Sequence, residues 1–130
     1  RAIFPHFKAF WSVLKSKGKK VLFCSDGTFD MFIDDLIDCG ADGFIFEPSN
    51  NFELFVRKCG RTHVIIGSMV DCRTLAFGTW EQVKAQMDAT FALAKDCAGL
   101  VWAVGNHFPP NIPIEMAERY IDYLQANWWR

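Results

Sequence analysis

Four short apolar runs set the rhythm of this chain: VLFC at 21–24, GFIF at 43–46, VIIGSM at 64–69 and GLVWAV at 99–104. Each ends in polar residues and is followed by a stretch with helical spacing. The runs are too short and too continuously apolar for strands with one wet face. Strands buried on both sides and joined by helices have this composition. Repeated strand–helix units predict a parallel sheet, and parallel sheets gather their chemistry at the C-terminal ends of the strands. Those ends carry Cys24, Ser25, Asp26 and Gly27, then Glu47 and Pro48, then Asp71, then Gly105, Asn106 and His107.

The intervening segments support the same layout. Phe7, Phe10, Trp11 and Leu14 predict a helix over 5–17, ended by Gly18. Phe29, Phe32, Ile33, Leu36 and Ile37 predict a second over 29–39, stopped by Gly40. Ser49, Asn50 and Asn51 offer an N-cap for a short helix reaching Cys59. After the third run the sequence predicts a loop carrying Asp71, Arg73 and Gly78. Thr79 and Gln82 then form a capping box that opens the longest helix, to about Lys95. Pro109, Pro110 and Pro113 stiffen the loop before a last helix over 114–127.

At 130 residues the chain is one domain at most. Its 51% hydrophobic content, with 13 Phe and 5 Trp, predicts apolar surface meant for a partner or for further sequence. The net charge of −1 and the lack of a basic stripe give nucleic-acid binding no electrostatic support. Lys15, Lys17, Lys19 and Lys20 cluster where a solvated turn is expected. Five cysteines without CxxC spacing fit a reducing cytoplasm better than a disulfide framework. No secretory signal pattern is present, and no apolar run reaches membrane-spanning length. The chain opens on Arg1 rather than Met, as a processed product or a piece of a longer protein would.

Three loop segments are more specific. VLFCSDG at 21–27, GSMVD at 67–71 with Leu75 and GTWEQV at 78–83, and GNHFPPNIPIE at 105–115 stand in this order. They resemble, at matching spacing, the "H-S-D-G" or "H-x-C-G" strand end, the "G-N/G-x-D…L…G-T-x-E-E-V" segment and the "G-H/C-x-I-P-P-x-x-P-x-E-N" closing loop of the uroporphyrinogen decarboxylase superfamily. The resemblance implies an α/β fold. Residues 1–130 would be a single partial domain, the C-terminal half of a TIM (β/α)8 barrel with four βα units, strands five to eight. It also implies one of two chemistries. One is cofactor-free decarboxylation of a tetrapyrrole's acetate arms. The other is methyl transfer between a corrinoid protein and a thiol or folate, with zinc activating the thiol in several members. The Glu-Pro after the second strand and the segment 71–79 resemble the methyltransferase-like branch more closely.

The chain departs from that pattern at informative places. Cys24-x-Asp26 stands where zinc-dependent members have His-x-Cys. Asn106 stands where the family has Cys or His, and His107 is displaced by one. The arginine-rich decarboxylase motif belongs to the N-terminal half. Cys24, Asp26 and Glu47 are a candidate zinc set, since a thiolate and two carboxylates are zinc ligands; the alternative makes Cys24 a buried strand residue and Asp26 a turn residue bonding its own backbone. Asp26, Glu47 and His107 are the candidate catalytic groups. Asp71 and Asn106 are candidates for binding substrate or cofactor, with a structural Asp71–Arg73 ion pair as the alternative for Asp71. His63 precedes the third strand and belongs to the opposite, structural end.

Three functions stay open at this point: a corrinoid-dependent methyltransferase, a tetrapyrrole decarboxylase, and a non-catalytic module binding a corrinoid or a protein. In each case a four-strand half leaves two unpaired edges and an uncovered inner face. The expected partner is the missing N-terminal half or a second copy in a homodimer, together with a corrinoid protein in the first reading.

Overall fold

The computed structural model describes residues 2–67 and 70–128. Helix α1 (Phe4–Ser16) leads to β1 (Leu22–Cys24), and a 3-10 turn (Asp30–Phe32) runs into α2 (Ile33–Cys39). Then follow β2 (Gly43–Phe46), α3 (Phe52–Cys59), β3 (Val64–Gly67), α4 (Cys72–Phe77), α5 (Trp80–Ala94), β4 (Gly99–Val101) and α6 (Ile114–Asn127). The four strands form one parallel sheet in the order β1-β2-β3-β4. This is the α/β architecture of half a (β/α)8 barrel. Ser68 and Met69, assigned by pattern to the third strand, lie outside the described residues.

Most element ends follow from local chemistry. Asn51 caps α3 by accepting from Leu54 N–H at 3.0 Å. The Thr79–Gln82 capping box is present at α5. Gly40 closes α2 with φ of 102°, while its N–H and that of Ala41 satisfy the carbonyls of Ile37 and Leu36. One expectation changes: the loop predicted after the third strand holds α4, opened by Asp71, whose carboxylate accepts from Arg73 N–H at 2.9 Å. Six residues are too few to show a helical period, so only the cap signals the helix.

The sheet's register sorts its two faces. Phe23, Phe44, Ile65 and Leu100 form one cross-strand row facing the helices. Phe29 packs among this layer, with ring centroids 5.0 Å from Phe23 and 5.3 Å from Phe55, and Phe46 meets Phe55 edge-on at 4.2 Å. Much of the chain's phenylalanine is thus spent on its own core rather than on a partner surface. A second cluster of Val70, Leu75, Val83, Met87, Ile112 and Tyr120 joins α4, α5 and α6.

Nothing among the described residues covers the opposite face. Its rows are Leu22, Gly43, Val64, Gly99 and then Cys24, Ile45, Ile66, Val101. Leu22, Val64 and Val101 are 44%, 37% and 51% exposed. In strands predicted to be buried on both faces, these apolar side chains mark where a second layer belongs. Cys24 lies exposed in this row rather than buried.

At the other ends of the strands, Asp42 ties the chain together. It accepts from Val21 N–H at 2.9 Å and from Lys15 and Lys20 at 3.0 and 3.2 Å. Two lysines of the expected solvated cluster therefore anchor the entry to β1. Burial opposes ionisation of Asp42, but these donors outweigh it and bring its carboxyl down to about 2. His63 sits at this same end, against Phe44 at 6.0 Å, in keeping with a structural role.

Candidate functional site

All four strands point their C-terminal ends to one edge, and the loops that follow line an open cleft of about 390 Å³. Asp26, Glu47, Pro48, Ser49, Asp71 and Cys72 contribute, with Arg73, Asn106 and His107. Of the predicted site residues, Asp26, Glu47, Asp71, Asn106 and His107 are brought together. Cys24 is not among the lining residues; it stays in the sheet row, paired in register with Ile45.

Glu47 and Asn106 form the centre of this arrangement. Asn106 Nδ2 donates to both carboxylate oxygens, at 3.1 and 3.2 Å. Asn106 adopts φ of 73°, the left-handed region that Asn tolerates better than other non-glycine residues. Its Oδ1 meets Nδ1 of His107. The amide is thus committed at both ends within the protein. The loop is seated by Gly105, whose N–H donates to Val70 carbonyl at 2.8 Å. A Cβ on Gly105 would lie 2.3 Å from Pro48 Cγ, so the two loops approach as closely as they do only because this residue is glycine.

Asp71 is held on every side. Arg73 grips both its oxygens through Nε and Nη2, at 3.2, 3.1 and 2.8 Å. The Arg73 guanidinium holds the Asp71 carboxyl below the usual carboxylate range, against a smaller opposing effect of burial. The Asp71 N–H donates to Gln86 on α5, which in turn donates to Thr74. This geometry matches the structural ion-pair alternative for Asp71, with Arg73 76% exposed at the cleft.

Asp26 contrasts with both. Among the described residues nothing hydrogen-bonds or ion-pairs with its carboxylate. The local turn bond expected of it is made instead by Ser25, whose hydroxyl accepts from Gly27 N–H at 3.3 Å. Asp26 is exposed and faces the cleft as an acceptor without an internal partner.

Sequence reasoning missed the residue that organises this loop. Asn50 is 93% buried, its side-chain oxygen accepting from Phe29 N–H at 2.8 Å. Its Nδ2 donates to the carbonyls of Gly27 and Glu47, at 3.2 and 3.3 Å. It therefore fastens the Asp26 loop to the Glu47 loop. Asp30 adds to the seam by accepting from Asn51 N–H with both oxygens. The available signal was the doubled asparagine: one caps α3, leaving the other for a different task.

Cys24, Asp26 and Glu47 do not close on one point. Among the described residues, no three His, Cys, Asp or Glu side chains are grouped to hold a metal ion. No helix among them is long and apolar enough to cross a membrane.

A parallel sheet whose strands follow chain order, packed by helices on one face and with its polar loops at the C-terminal edge, is the arrangement of a barrel-type α/β protein. The chain belongs to the uroporphyrinogen decarboxylase (URO-D) family, whose model matches residues 1–126. No curated protein and no solved structure gave a significant match.

Proposed function

We propose that the protein carrying this chain is a methyltransferase of the family, moving a methyl group between a corrinoid protein and an acceptor such as a thiol. The carrying observation is the charge of the cleft. Among the described residues lining it, Asp26, Glu47 and Asp71 face a single guanidinium, Arg73, already paired with Asp71. A tetrapyrrole bearing several acetate and propionate groups would meet net repulsion here. A corrinoid's rim carries amides, whose N–H groups suit carboxylate acceptors, and Asp26 is free to accept them.

The bound corrinoid supplies or receives the methyl group. In the direction toward a thiol, the S–H proton leaves to a base at the cleft, the sulfur lone pair forms the S–C bond, and the donor keeps the electron pair of the bond that breaks. His107 and Glu47 are the groups available to take that proton. Asp26 orients the ligand. Zinc held by Cys24, Asp26 and Glu47 would first require these side chains to move together.

The uncovered inner face supports closure of the barrel by four further βα units, from an N-terminal half or a second copy. The free thiols fit a reducing cytoplasm. Tetrapyrrole decarboxylation is the second reading, favoured by one feature: Asp26 could equally accept pyrrole N–H groups. Its cationic groups would have to come from the other half.

The test is turnover by the full-length protein, offered methylcobalamin with a thiol, and separately uroporphyrinogen. Methyl thioether formation without carbon dioxide release from the tetrapyrrole is expected. Release of carbon dioxide with no methyl transfer would overturn the proposal.

A further inference from the structure

We infer that Asn106 is a positioning residue that fixes which nitrogen of His107 carries the proton, leaving Nε2 as the ring's acceptor at the cleft. An ionised carboxylate only accepts, so the Asn106 atom against Glu47 is the amide nitrogen, as the two contacts at 3.1 and 3.2 Å require. The other end of the amide is then its oxygen, which only accepts. The His107 ring nitrogen against it, Nδ1, must donate. In the neutral ring Nε2 is consequently unprotonated.

The backbone supports this order. Asn106 holds a positive φ of 73°, and its side chain reaches across to Glu47 in the loop after β2. Gly105 allows the approach by packing beneath Pro48, the residue next to Glu47. Glu47, Asn106 and His107 thus form one directed chain from carboxylate to imidazole, with the ring's remaining nitrogen as the end that meets a substrate. Asp26, Asp71 and Arg73 are the other charged groups lining the cleft.

The role in turnover rests on the methyl-transfer reading; the tautomer does not. In that reading the acceptor's S–H proton passes to Nε2. The resulting imidazolium keeps its Nδ1–H on Asn106 and later gives the Nε2 proton to water. A positioning role of this kind lowers kcat with little change in KM, because Asn106 itself is committed to Glu47 and His107.

The experiment is nitrogen-15 NMR of the His107 imidazole in the full-length protein, above the pH at which the ring loses its charge. The wild type is compared with Asn106→Gly, which accepts the same positive φ but lacks the amide. The Nδ1–H form is expected in the wild type, with a shift toward the Nε2–H form in Asn106→Gly and at least a tenfold lower kcat. An Nε2–H ring in the wild type, or an Nδ1–H ring retained in Asn106→Gly, would overturn the inference. Because this readout needs no turnover, it separates failure of the inference from failure of the methyltransferase reading, which would show as an inactive wild type with the Nδ1–H ring intact.

Discussion

Asn106 and Glu47, fifty-nine residues apart in sequence, meet through two hydrogen bonds that join the loops after β2 and β4, the strands flanking β3. The contact sits on a close approach of the Gly105 backbone to the Pro48 ring. Adding a methyl group at Gly105 would drive it into Pro48. Gly105→Ala is therefore expected to separate the loops and destabilise the fold by about 1–3 kcal/mol, the usual range for overpacking. Chemical denaturation measures this, and an unchanged midpoint would show that the loops part freely.

Asn50 is the second fastening. Asn50→Ala removes three hydrogen bonds at once and leaves Phe29 N–H buried without its acceptor. A loss of about 2–4 kcal/mol is expected, since an orphaned buried donor costs more than the bond it made. Amide exchange should quicken at Phe29 before it does in β2 or β3. Equal quickening throughout would indicate global rather than local loosening.

Much of this was legible in the residues. Continuous apolar runs disclosed the parallel sheet, and the polar residues following them disclosed the cleft. Thr79 with Gln82 marked the start of α5. Other features were not legible because they depend on contacts between distant segments. Nothing near Asn50 in sequence shows that it reaches Gly27 and Phe29, and nothing around Asp42 shows that it collects Val21, Lys15 and Lys20. Cys24 is the instructive case. Alternation places it on a sheet face, but only the register reveals that this face is the one without helices.

Asp42 makes stability depend on acid. Its folded carboxyl titrates at about 2, below the ordinary value of 3.8. The proton therefore favours the unfolded chain, and the stabilisation is fully present above about pH 4 and lost as pH falls through about 2. The gap in urea midpoint between wild type and Asp42→Asn should be widest near pH 6 and shrink toward pH 2. A gap that does not vary over this range would contradict the assignment.

The cysteines report on the uncovered face. Cys24 is exposed, Cys72 half-buried, and Cys39, Cys59 and Cys97 are buried. Burial also pushes the Cys59 thiol up to about 11, which lowers its thiolate fraction near neutral pH. Alkylation of the folded 130-residue chain should modify Cys24 first and the three buried thiols only on unfolding. Where the proposed closing layer is in place, from further βα units or a second copy, Cys24 should become protected as its row is covered. Equal reactivity in the 130-residue chain and the full-length protein would mean that this face stays open.

The most direct test of the proposed function is a spectral titration of the full-length protein with cobalamin, comparing wild type with Asp26→Asn. Saturable binding is expected, weakened about tenfold or more by Asp26→Asn, the scale of one charge-assisted hydrogen bond. An affinity unaltered by Asp26→Asn, or no binding by the wild type, would contradict the account of the cleft as a corrinoid-facing site.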